Sequence, residues 1–471
     1  MKIDPDKYFN TFIRVLKKTI SFNTYYLPNP YKLGEVRDYE KKINHLNFKK
    51  IFDHNYLIHD KKKFAETKVI FLSHYLGYEH IKDEDFYYGK IFNILKKKKI
   101  NYSILMINKT NFQLQDIKKK FKNTIHSRIY VNQYSHPVKD IKLIIKLFIN
   151  YLSFVFKKTY IKFNREEKKI ISEKFTFLNF IKARTTLKLV NNIESILNDY
   201  SNNTQCIVFT FEGHAFERML IEICKKKKIK SIGYFFSVIR QLKTNIFYKF
   251  PKFLMPDDIF TTGSVVKNYF KKNSTKIQNI HMVGSGRKFL NKKFNIKRIL
   301  SSETCNILIC PEGLYTETDI MFNLGLSLSQ KKTKFNFNFR IHPELKQNKK
   351  YMGNLNNRIK NFRNFKISNN SLDDDINHNH ILIYRGSSIC VNGVLGGMVP
   401  IYYKLHNEIS LDPLFEINQF KAENESQILR YIDLLRLHKN KKKLNNKMKS
   451  LMNYCKLYYE NFDEKNILKY L

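Results

Sequence analysis

Short apolar runs of strand length alternate with longer amphipathic segments over most of this 471-residue chain. Runs rich in β-branched and aromatic residues indicate buried strands. They lie at 69–74, 102–108, 128–133, 206–211, 231–236, 258–263, 281–286, 306–311, 335–341, 365–368, 380–385 and 399–403. Helical length and spacing predict helices at 84–96, 111–122, 138–160, 170–198, 214–225, 317–330 and 387–397, and in the tail from Glu425. This alternation predicts an α/β protein with parallel sheets wrapped by helices.

The alternation of predicted strands and helices is interrupted at 287–304, a polar and basic segment without a hydrophobic pattern. We therefore expect two Rossmann-like, doubly wound domains whose strand carboxyl ends face a central cleft, where open α/β sheets bind ligands. The predicted divisions are an irregular basic extension at 1–65, a first domain at 66–290, a second at 303–424 and basic helices at 425–471.

The chain carries 85 Lys and Arg residues against 41 Asp and Glu, a formal net charge of +44. Such a charge favours anionic partners: nucleic acid, an acidic membrane surface or acidic substrates. An AT-rich genome would also enrich Lys together with Asn, Ile, Phe and Tyr. The lysine runs at 96–99, 225–228 and 331–334 fall between a predicted helix and the next strand, where cations complement the helix dipole. They favour solvated helix ends over a nucleic-acid surface.

The six cysteines are scattered and have neither CxxC nor zinc-site spacing, which predicts reduced core residues in the cytoplasm. The start of the sequence has no apolar signal core. The most hydrophobic stretch, 143–156, is shorter than the roughly 20 residues of a spanning helix and contains Lys146. Lys142, Lys157 and Lys158 flank it, so a helix on the inner membrane surface and a buried inter-domain or core helix both remain open.

Four predicted strands end in unusual polar residues. These ends are Glu212-Gly213-His214, Glu312-Gly313, Arg340-Ile341-His342-Pro343 and Arg385-Gly386-Ser387-Ser388. Because the carboxyl ends of parallel strands share one edge of a sheet, we expect them to line the ligand-binding edges.

The last of these ends has the pattern of a phosphate site. Gly386, Ser387 and Ser388 precede a predicted helix, whose first N–H groups and dipole attract phosphate, although serine also caps ordinary helices. Pro343 keeps His342 out of a helical conformation, so the strand ends there. An imidazole at that edge can donate to a phosphate or protonate a leaving group, and a plain turn histidine is the alternative.

Glu212 and Glu312 each follow an apolar strand and precede a glycine. A partly buried carboxylate at this edge can act as a general base. Glu312 is also placed to bind a sugar or ribose hydroxyl. Both residues have the alternative role of stabilising a helix N-terminus.

Together these residues resemble a known group of enzymes over about 205–405. FRIHPEL (339–345) and YRGSSICVNGVLGGMVPIYY (384–403) resemble the nucleotide-binding half of bacterial surface-carbohydrate transferases with the GT-B fold. These include the CDP-glycerol glycerophosphotransferases, the bacterial sialyl- and polysialyltransferases, and capsule or lipopolysaccharide proteins. TFEGHAFERMLIEI (210–223) and SIGYFFS (231–237) resemble their acceptor half. The resemblance implies an inverting, metal-independent glycosyltransferase that uses a CMP- or CDP-linked donor and a polysaccharide or lipid-linked acceptor.

The resemblance also implies roles for individual residues. The strand ends of the second domain would hold the nucleotide through Glu312, Gly313, Arg340, His342, Pro343, Arg385, Gly386, Ser387 and Ser388. His342 would neutralise the leaving phosphate, and Glu212 or His214 would accept the acceptor's proton. Several relatives have a histidine in the loop after the strand matching 231–236, where this chain reads YFFSVI. No cofactor is expected beyond the donor, and no metal, since Asp373–Asp375 fits a helix N-terminus.

Three other functions remain open. A sugar-nucleotide epimerase has the same architecture and needs no acceptor. A basic nucleic-acid-binding protein would group its cations on one face with interleaved aromatics. An inactive transferase retained as a partner would explain the absent histidine.

Overall fold

The computed structural model describes most of the chain. The described residues are 5–19, 27, 54–77, 85–110, 112–121, 124–132, 140–200, 203–239, 252–273, 279–287, 290, 292, 294–295, 305–405, 411–417, 420–437 and 441–471. The chain divides into two compact units. Unit 1 comprises Met1–Phe236, Lys243–Gly286 and Glu460–Leu471, and unit 2 comprises Ser237–Leu242 and Arg287–Tyr459.

Unit 1 is built on an eight-stranded sheet of order β1-β4-β3-β2-β5-β6-β7-β8. The strands are β1 (Tyr56–Ile58), β2 (Val69–Tyr75), β3 (Tyr102–Asn108), β4 (Ser127–Asn132), β5 (Cys206–Thr210), β6 (Lys230–Phe235), β7 (Asp258–Thr261) and β8 (Ile280–Met282). All pairings are parallel except that of the edge strand β1 with β4. Every residue of β2 and β5 is buried, as expected when helices cover both faces of a sheet.

The described helices of unit 1 before residue 274 are α1 (Pro5–Lys18), α2 (Lys61–Ala65), α3 (Ile91–Lys97), α4 (Leu114–Lys120), α5 (Ile141–Lys157), α6 (Arg165–Lys174), α7 (Phe177–Lys182), α8 (Arg184–Tyr200), α9 (Ala215–Lys226) and α10 (Ser264–Asn273). Lys158–Tyr160 and Lys252–Leu254 are short 3₁₀ turns. The chain leaves β2 towards β3 and β4 and later continues from β5 in the opposite direction. The boundary between β2 and β5 is therefore the topological switch point of unit 1.

Unit 2 repeats this winding in a six-stranded, fully parallel sheet of order β11-β10-β9-β12-β13-β14. The strands are β9 (Asn306–Cys310), β10 (Asn336–Phe339), β11 (Phe365–Ile367), β12 (Ile381–Tyr384), β13 (Val399–Tyr403) and β14 (Lys421–Ala422). The helices are α11 (Tyr315–Lys331), α12 (Pro343–Lys346), α13 (Lys349–Ile359), α14 (Leu372–His378), α15 (Ile389–Leu395), α16 (Glu425–Leu435) and α17 (Lys441–Lys456). Its switch point lies between β9 and β12.

The last twelve residues return to unit 1, a placement that no sequence pattern indicated. After α17, Ser285 donates its N–H to the Glu460 carbonyl at 2.7 Å, and Asp463 donates to the Val283 carbonyl at 2.9 Å. Helix α18 (Glu464–Tyr470) follows. Gly284 has a φ of +88°, and a Cβ there would lie 2.1 Å from the Asn461 carbonyl oxygen. Only glycine therefore permits this close approach.

The fold class expected from the sequence, two Rossmann-like doubly wound domains, is confirmed. The irregular structure expected for 1–65 is wrong where the structure describes it, because α1 buries Phe12 and Val15 and packs against α6. Lys18 Nζ also lies 2.7 Å from Glu167 Oε2. The helix α1 was not predicted because the basic composition of the surrounding sequence obscured its pattern of apolar positions. Most of 20–53 and of the 287–304 segment lies outside the described residues, and the predicted domain boundaries stay predictions.

The helix expected at 170–198 is interrupted. The structure has α6, α7 and α8 in its place, with breaks at Phe175–Thr176 and at Ala183. Thr176 is extended and caps α7, its hydroxyl accepting the Asn179 N–H at 3.4 Å. Threonine favours such caps, and its local hydrogen bond competes with helix continuation.

Two glycines in helices of unit 2 provide a matched test of the packing. A Cβ on Gly325 in α11 would lie 2.5 Å from Phe365 and 2.8 Å from Ile309, whereas a Cβ on Gly353 in α13 would meet nothing within 4 Å. Gly353→Ala should raise the free energy of unfolding by about 0.5–1 kcal/mol through helix propensity. Gly325→Ala should lower it by about 1–3 kcal/mol through overpacking. Urea denaturation measures both, and equal effects would contradict this packing.

Candidate functional site

Three predicted strand ends of unit 2 emerge at one edge of its sheet. Tyr384, the last residue of β12, is in register with Cys310, the last residue of β9, and Phe339 of β10 is in register with Ile309. The polar segments that begin at Pro311, Arg340 and Arg385 therefore leave the sheet side by side.

Two close approaches join these segments. A Cβ on Gly386 would lie 3.2 Å from Glu312 Oε1, so the Glu312 side chain rests against the Gly386 backbone. Gly386 has a φ of +58°, which glycine adopts without strain. A Cβ on Gly313 would lie 2.8 Å from His342 Nδ1, so the imidazole rests against the Gly313 backbone. The structure thus brings together Glu312, Gly313, His342 and Gly386, all of them predicted site residues.

Glu312 is buried. Helix α11 begins after Leu314, its N-cap residue, which makes no side-chain capping hydrogen bond. The two roles considered from the sequence, helix stabilisation and binding of a ligand hydroxyl, both stay predictions for Glu312. A buried carboxylate at the switch point is positioned to accept hydrogen bonds from a ligand hydroxyl.

Ser387 and Ser388 lie at the start of α15 and are partly exposed. Ser388 occupies the N-cap position without making a side-chain capping hydrogen bond. The Ile389 N–H donates to the Ser387 hydroxyl at 3.4 Å. Pro343, the last of the predicted residues here, opens α12, so His342 is the final residue before that helix, as expected.

The two predicted arginines have intramolecular partners. Arg385 is fully buried and donates to both carboxylate oxygens of Glu317, at 2.6 and 3.1 Å. Arg340 donates to Asp375 at 2.6 Å and to the Asn370 carbonyl at 3.0 Å. Their charges are thus used to fix strand ends, and phosphate binding by either one stays a prediction.

In unit 1, Glu212, Gly213 and His214 follow β5 at the switch point, and two buried neighbours hold this loop. Glu217 accepts the Glu212 N–H at 3.0 Å and the His214 N–H at 2.7 Å. Arg218 donates to the Gly213 carbonyl at 2.8 Å and to the Leu27 carbonyl at 2.9 Å. Sequence reasoning missed both residues, although a glutamate three positions after the N-cap residue, here His214, is a capping signal.

The two candidate bases of unit 1 are in contact with each other. Glu212 Oε2 lies 3.4 Å from His214 Nε2, and both side chains are largely buried. The His214 ring stacks on Phe216 with centroids 5.6 Å apart. A carboxylate beside an imidazole fixes the orientation of the ring and stabilises its protonated form. The pair can therefore accept and hold a proton as a unit.

Two further polar residues lie near this switch point and were missed from the sequence. The His74 ring, on β2, packs edge to face with those of Phe216 and Tyr87, with ring centroids 6.2 and 5.5 Å apart. Asp85 is buried and accepts the N–H groups of Tyr87 and Tyr88 at 2.8 and 3.0 Å. Burial raises the pKa of Asp85, against the opposing effect of the hydrogen bonds from the Tyr87 and Tyr88 backbone. The only feature of the sequence that could have indicated these two residues is the position of His74, a histidine inside an apolar strand.

Within the described part of the chain, no group of three or more His, Cys, Asp or Glu residues has the arrangement of a metal site. Asp373–Asp375 form the first turn of α14, and Ser371 caps it by accepting the Asp374 N–H at 3.1 Å. The helix start expected for these aspartates is therefore confirmed, while the expectation of a metal-independent reaction stays a prediction.

No protein-family model matches this sequence, and no curated protein matches it either. Solved structures do match. A putative UDP-N-acetylglucosamine 2-epimerase from Listeria monocytogenes aligns over 86% of this chain and 95% of its own, at 12% identity and a TM-score of 0.50. A UDP-GlcNAc 2-epimerase from Neisseria meningitidis, bound to UDP-GlcNAc, aligns over 86% and 100%, at 12% identity and a TM-score of 0.46.

A UDP-forming α,α-trehalose-phosphate synthase from Burkholderia xenovorans aligns over 83% of this chain and 96% of its own, at 8% identity and a TM-score of 0.42. At such identities the likeness concerns the fold. The match to the Listeria protein agrees with the GT-B fold expected from the resemblance. Membership of the surface-carbohydrate group stays a prediction.

The contribution of the Arg385–Glu317 ion pair to the stability of the protein can be measured. Removing one partner of a buried ion pair leaves the other charge buried without compensation and costs about 3–5 kcal/mol. We expect Glu317→Gln to lower the free energy of unfolding by this amount in urea denaturation. The exposed pair of Lys332 and Asp433, 3.0 Å apart, is a matched control. Asp433→Asn should change the free energy by less than about 1 kcal/mol. Similar small losses in both variants would contradict a structural role for Arg385.

Proposed function

We propose that this protein is a nucleotide-sugar-dependent glycosyltransferase whose unit 2 binds the donor. The observation that carries this proposal is the convergence of Glu312, Gly313, His342 and Gly386 at the switch point of unit 2. Mononucleotide-binding sheets hold their ligands at this point. The two glycines let the His342 imidazole and the Glu312 carboxylate pack against the backbone at the strand ends, and these two side chains supply complementary polar groups for a ligand.

Donor binding follows from this arrangement. The phosphate lies at the start of α15, where the hydroxyls of Ser387 and Ser388 and the backbone N–H groups donate hydrogen bonds to it. Glu312 accepts hydrogen bonds from hydroxyls of the ribose or the sugar. Arg385 acts as a positioning residue, since its bond to Glu317 holds the end of β12 from which Gly386 and the serines project.

Transfer then needs a proton donor and a proton acceptor. An acceptor hydroxyl attacks the anomeric carbon, and the bond from that carbon to the phosphate oxygen breaks with inversion. His342 donates a proton or a hydrogen bond to the departing phosphate, and Glu212, paired with His214, takes the proton of the acceptor. Negative charge on the leaving group is thus met by protein groups, so the proposal needs no metal and no further cofactor.

The substrate class rests on the resemblance. It favours a CMP- or CDP-linked donor and an anionic polysaccharide or lipid-linked acceptor of the bacterial cell surface, which suits a chain with a net charge of +44. The solved structures that share the fold include enzymes of UDP-linked sugars, so a UDP-linked donor is the other outcome of the binding test below.

A sugar-nucleotide epimerase is the second candidate. It is favoured by the match at a TM-score of 0.50 to a putative UDP-N-acetylglucosamine 2-epimerase. Such an enzyme converts its nucleotide sugar without an acceptor. Product analysis of a reaction that contains the nucleotide sugar alone separates the two functions, since a transferase leaves the sugar's stereochemistry unchanged under those conditions.

Nucleotide binding is the first prediction of the proposal. CMP or CDP at about 100 times its dissociation constant should stabilise the protein by about 2.7 kcal/mol, seen as a higher melting temperature. His342→Ala should reduce this shift, because the ring lies against Gly313 in the proposed site. His378→Ala is the control, since His378 is exposed at the end of α14. A shift with UDP would retain the site and change the donor. No shift with CMP, CDP, UDP or GDP would refute the site.

The proposed base provides a second prediction. Glu212→Gln should lower the transfer rate by about 10²–10⁴-fold, the usual contribution of general base catalysis, and should leave the nucleotide-induced thermal shift unchanged. Glu222→Gln is the matched control, because Glu222 lies in the same region, on α9, and pairs with Lys226 across one helical turn. If Glu212→Gln retains the wild-type rate with an acceptor, Glu212 is not the base.

A further inference from the structure

Helix α5 in unit 1 carries an apolar surface that the rest of the described protein does not cover. Only Leu147 and Phe154 of this 17-residue helix are buried. Five large apolar residues on it are exposed: Ile141, Ile145, Phe148, Ile149 and Phe156, with Ile149 at 58% and Phe156 at 70%. A core helix would bury such residues, so that alternative from the sequence is wrong for α5.

The exposed residues form one stripe. At the helical rotation of roughly 100° per residue, all five lie within an arc of about 100°. Leu147 and Phe154 lie on the opposite side of the helix, where they pack into unit 1. A helix that is apolar on two opposite faces has one face for its own core and one for something else. We call the exposed face the α5 stripe.

The neighbouring helix α7 extends this surface. The rings of Phe148 and Phe177 pack edge to face with centroids 5.6 Å apart. Phe177 and the next residue, Leu178, are themselves exposed. The apolar surface therefore spans two helices, and contiguous exposed surfaces of this kind mark interaction sites in soluble proteins.

The charged side chains of the helix that carries the α5 stripe are all positive, and Asp140, directly before it, is buried and lies within 4 Å of Arg184 and Lys188. The segment 141–163 contains the lysines 142, 146, 157, 158 and 162 and has no Asp or Glu. Lys142, Lys146, Lys157 and Lys162 are exposed. On the helix, Lys142 and Lys146 lie next to the stripe, at its border with the buried face. Long lysine side chains at such a border keep their ammonium groups in a polar layer while the stripe enters an apolar one.

No helix among the described residues is long and apolar enough to cross a membrane. A face that is apolar along its centre and basic along its border matches the interface of a bilayer, where acyl chains lie beneath anionic headgroups. Nucleic acid would match the lysines and leave the isoleucines exposed to water.

We propose that the α5 stripe docks on the surface of an anionic phospholipid bilayer, with α5 lying in the plane of the interface. Ile145, Ile149 and Phe156 enter the acyl boundary, and Lys142 and Lys146 bind lipid phosphates. The proposal is independent of the proposed function, because neither nucleotide nor acceptor takes part.

Vesicle flotation with the full chain tests the proposal. Wild type should bind vesicles of 70% phosphatidylcholine and 30% phosphatidylglycerol and bind pure phosphatidylcholine more weakly. The variant Ile145→Ser/Ile149→Ser should bind the anionic vesicles about tenfold or more weakly, since it removes apolar area that the interface would bury. Lys142→Gln/Lys146→Gln should weaken binding to anionic vesicles by about fivefold per lysine, with no change on neutral ones. High salt should mimic the lysine variant.

Leu437→Ser/Leu457→Ser is the matched control, because both leucines are exposed and belong to unit 2, whereas the α5 stripe belongs to unit 1. It should bind as wild type does. Circular dichroism and the melting temperature should be unchanged in every variant, since only exposed residues are altered. Absence of wild-type binding to anionic vesicles, or equal binding by the isoleucine variant, would overturn the proposal. So would dimerisation in solution that the isoleucine variant abolishes, because the occupant would then be a second copy of this chain.

Discussion

A parallel sheet covered by helices on both faces leaves its strands little contact with water, and the candidate chemistry of this protein depends on that constraint. Strands β5 and β9 contain one polar residue each, and the two polar residues inside β2, Ser73 and His74, are buried. Polar groups find water and ligands only where the strands end. The doubly wound order then brings particular ends together. In unit 2 it places Glu312 beside Gly386 and His342 beside Gly313, and in unit 1 it places the loop of Glu212 and His214 next to β2.

Loops at strand ends need rigid support before they can hold a ligand, and buried charges provide it here. Glu217 and Arg218 bind the backbone on both sides of Gly213, and Glu317 binds Arg385 at the end of β12. Each buried charge carries a desolvation cost that only complete hydrogen bonding offsets. Such residues are often taken for ligand-binding groups because they lie beside the site. In this protein, the carboxylates and arginines that hold the loops are distinct from Glu212, Glu312 and His342, which the proposal assigns to substrate.

The large positive charge has more than one use in the structure. Many lysines lie at helix C-termini, as those of α3, α4 and α9 do, where they complement the helix dipole. The lysines along α5 differ, because they border exposed isoleucine and phenylalanine instead of solvent-facing polar residues. Composition alone does not distinguish the lysines at helix C-termini from the lysines along α5. The residues packed around each lysine do distinguish them: the helix-end lysines reflect a general property of the chain, whereas those of α5 belong to a local surface that suits an anionic interface.

The sequence by itself determined β2 to β13, most of the helices that follow them and the doubly wound fold class, because burial on both faces leaves a run of apolar residues. It missed the short edge strands β1 and β14, helix α1 and the breaks that separate α6, α7 and α8. It also located the polar strand ends, since these interrupt such runs. Tertiary structure alone decided which of those residues touch. The contact of Glu212 with His214, the internal pairing of Arg340 and Arg385 and the nearness of His74 to Phe216 depend on sheet order and side-chain direction, which are long-range properties. The exposure of α5 and the return of residues 460–471 to unit 1 were hidden for the same reason. An apolar helix has the same sequence pattern whether it packs in a core or lies on a bilayer, and only the residues around it in space distinguish these two environments.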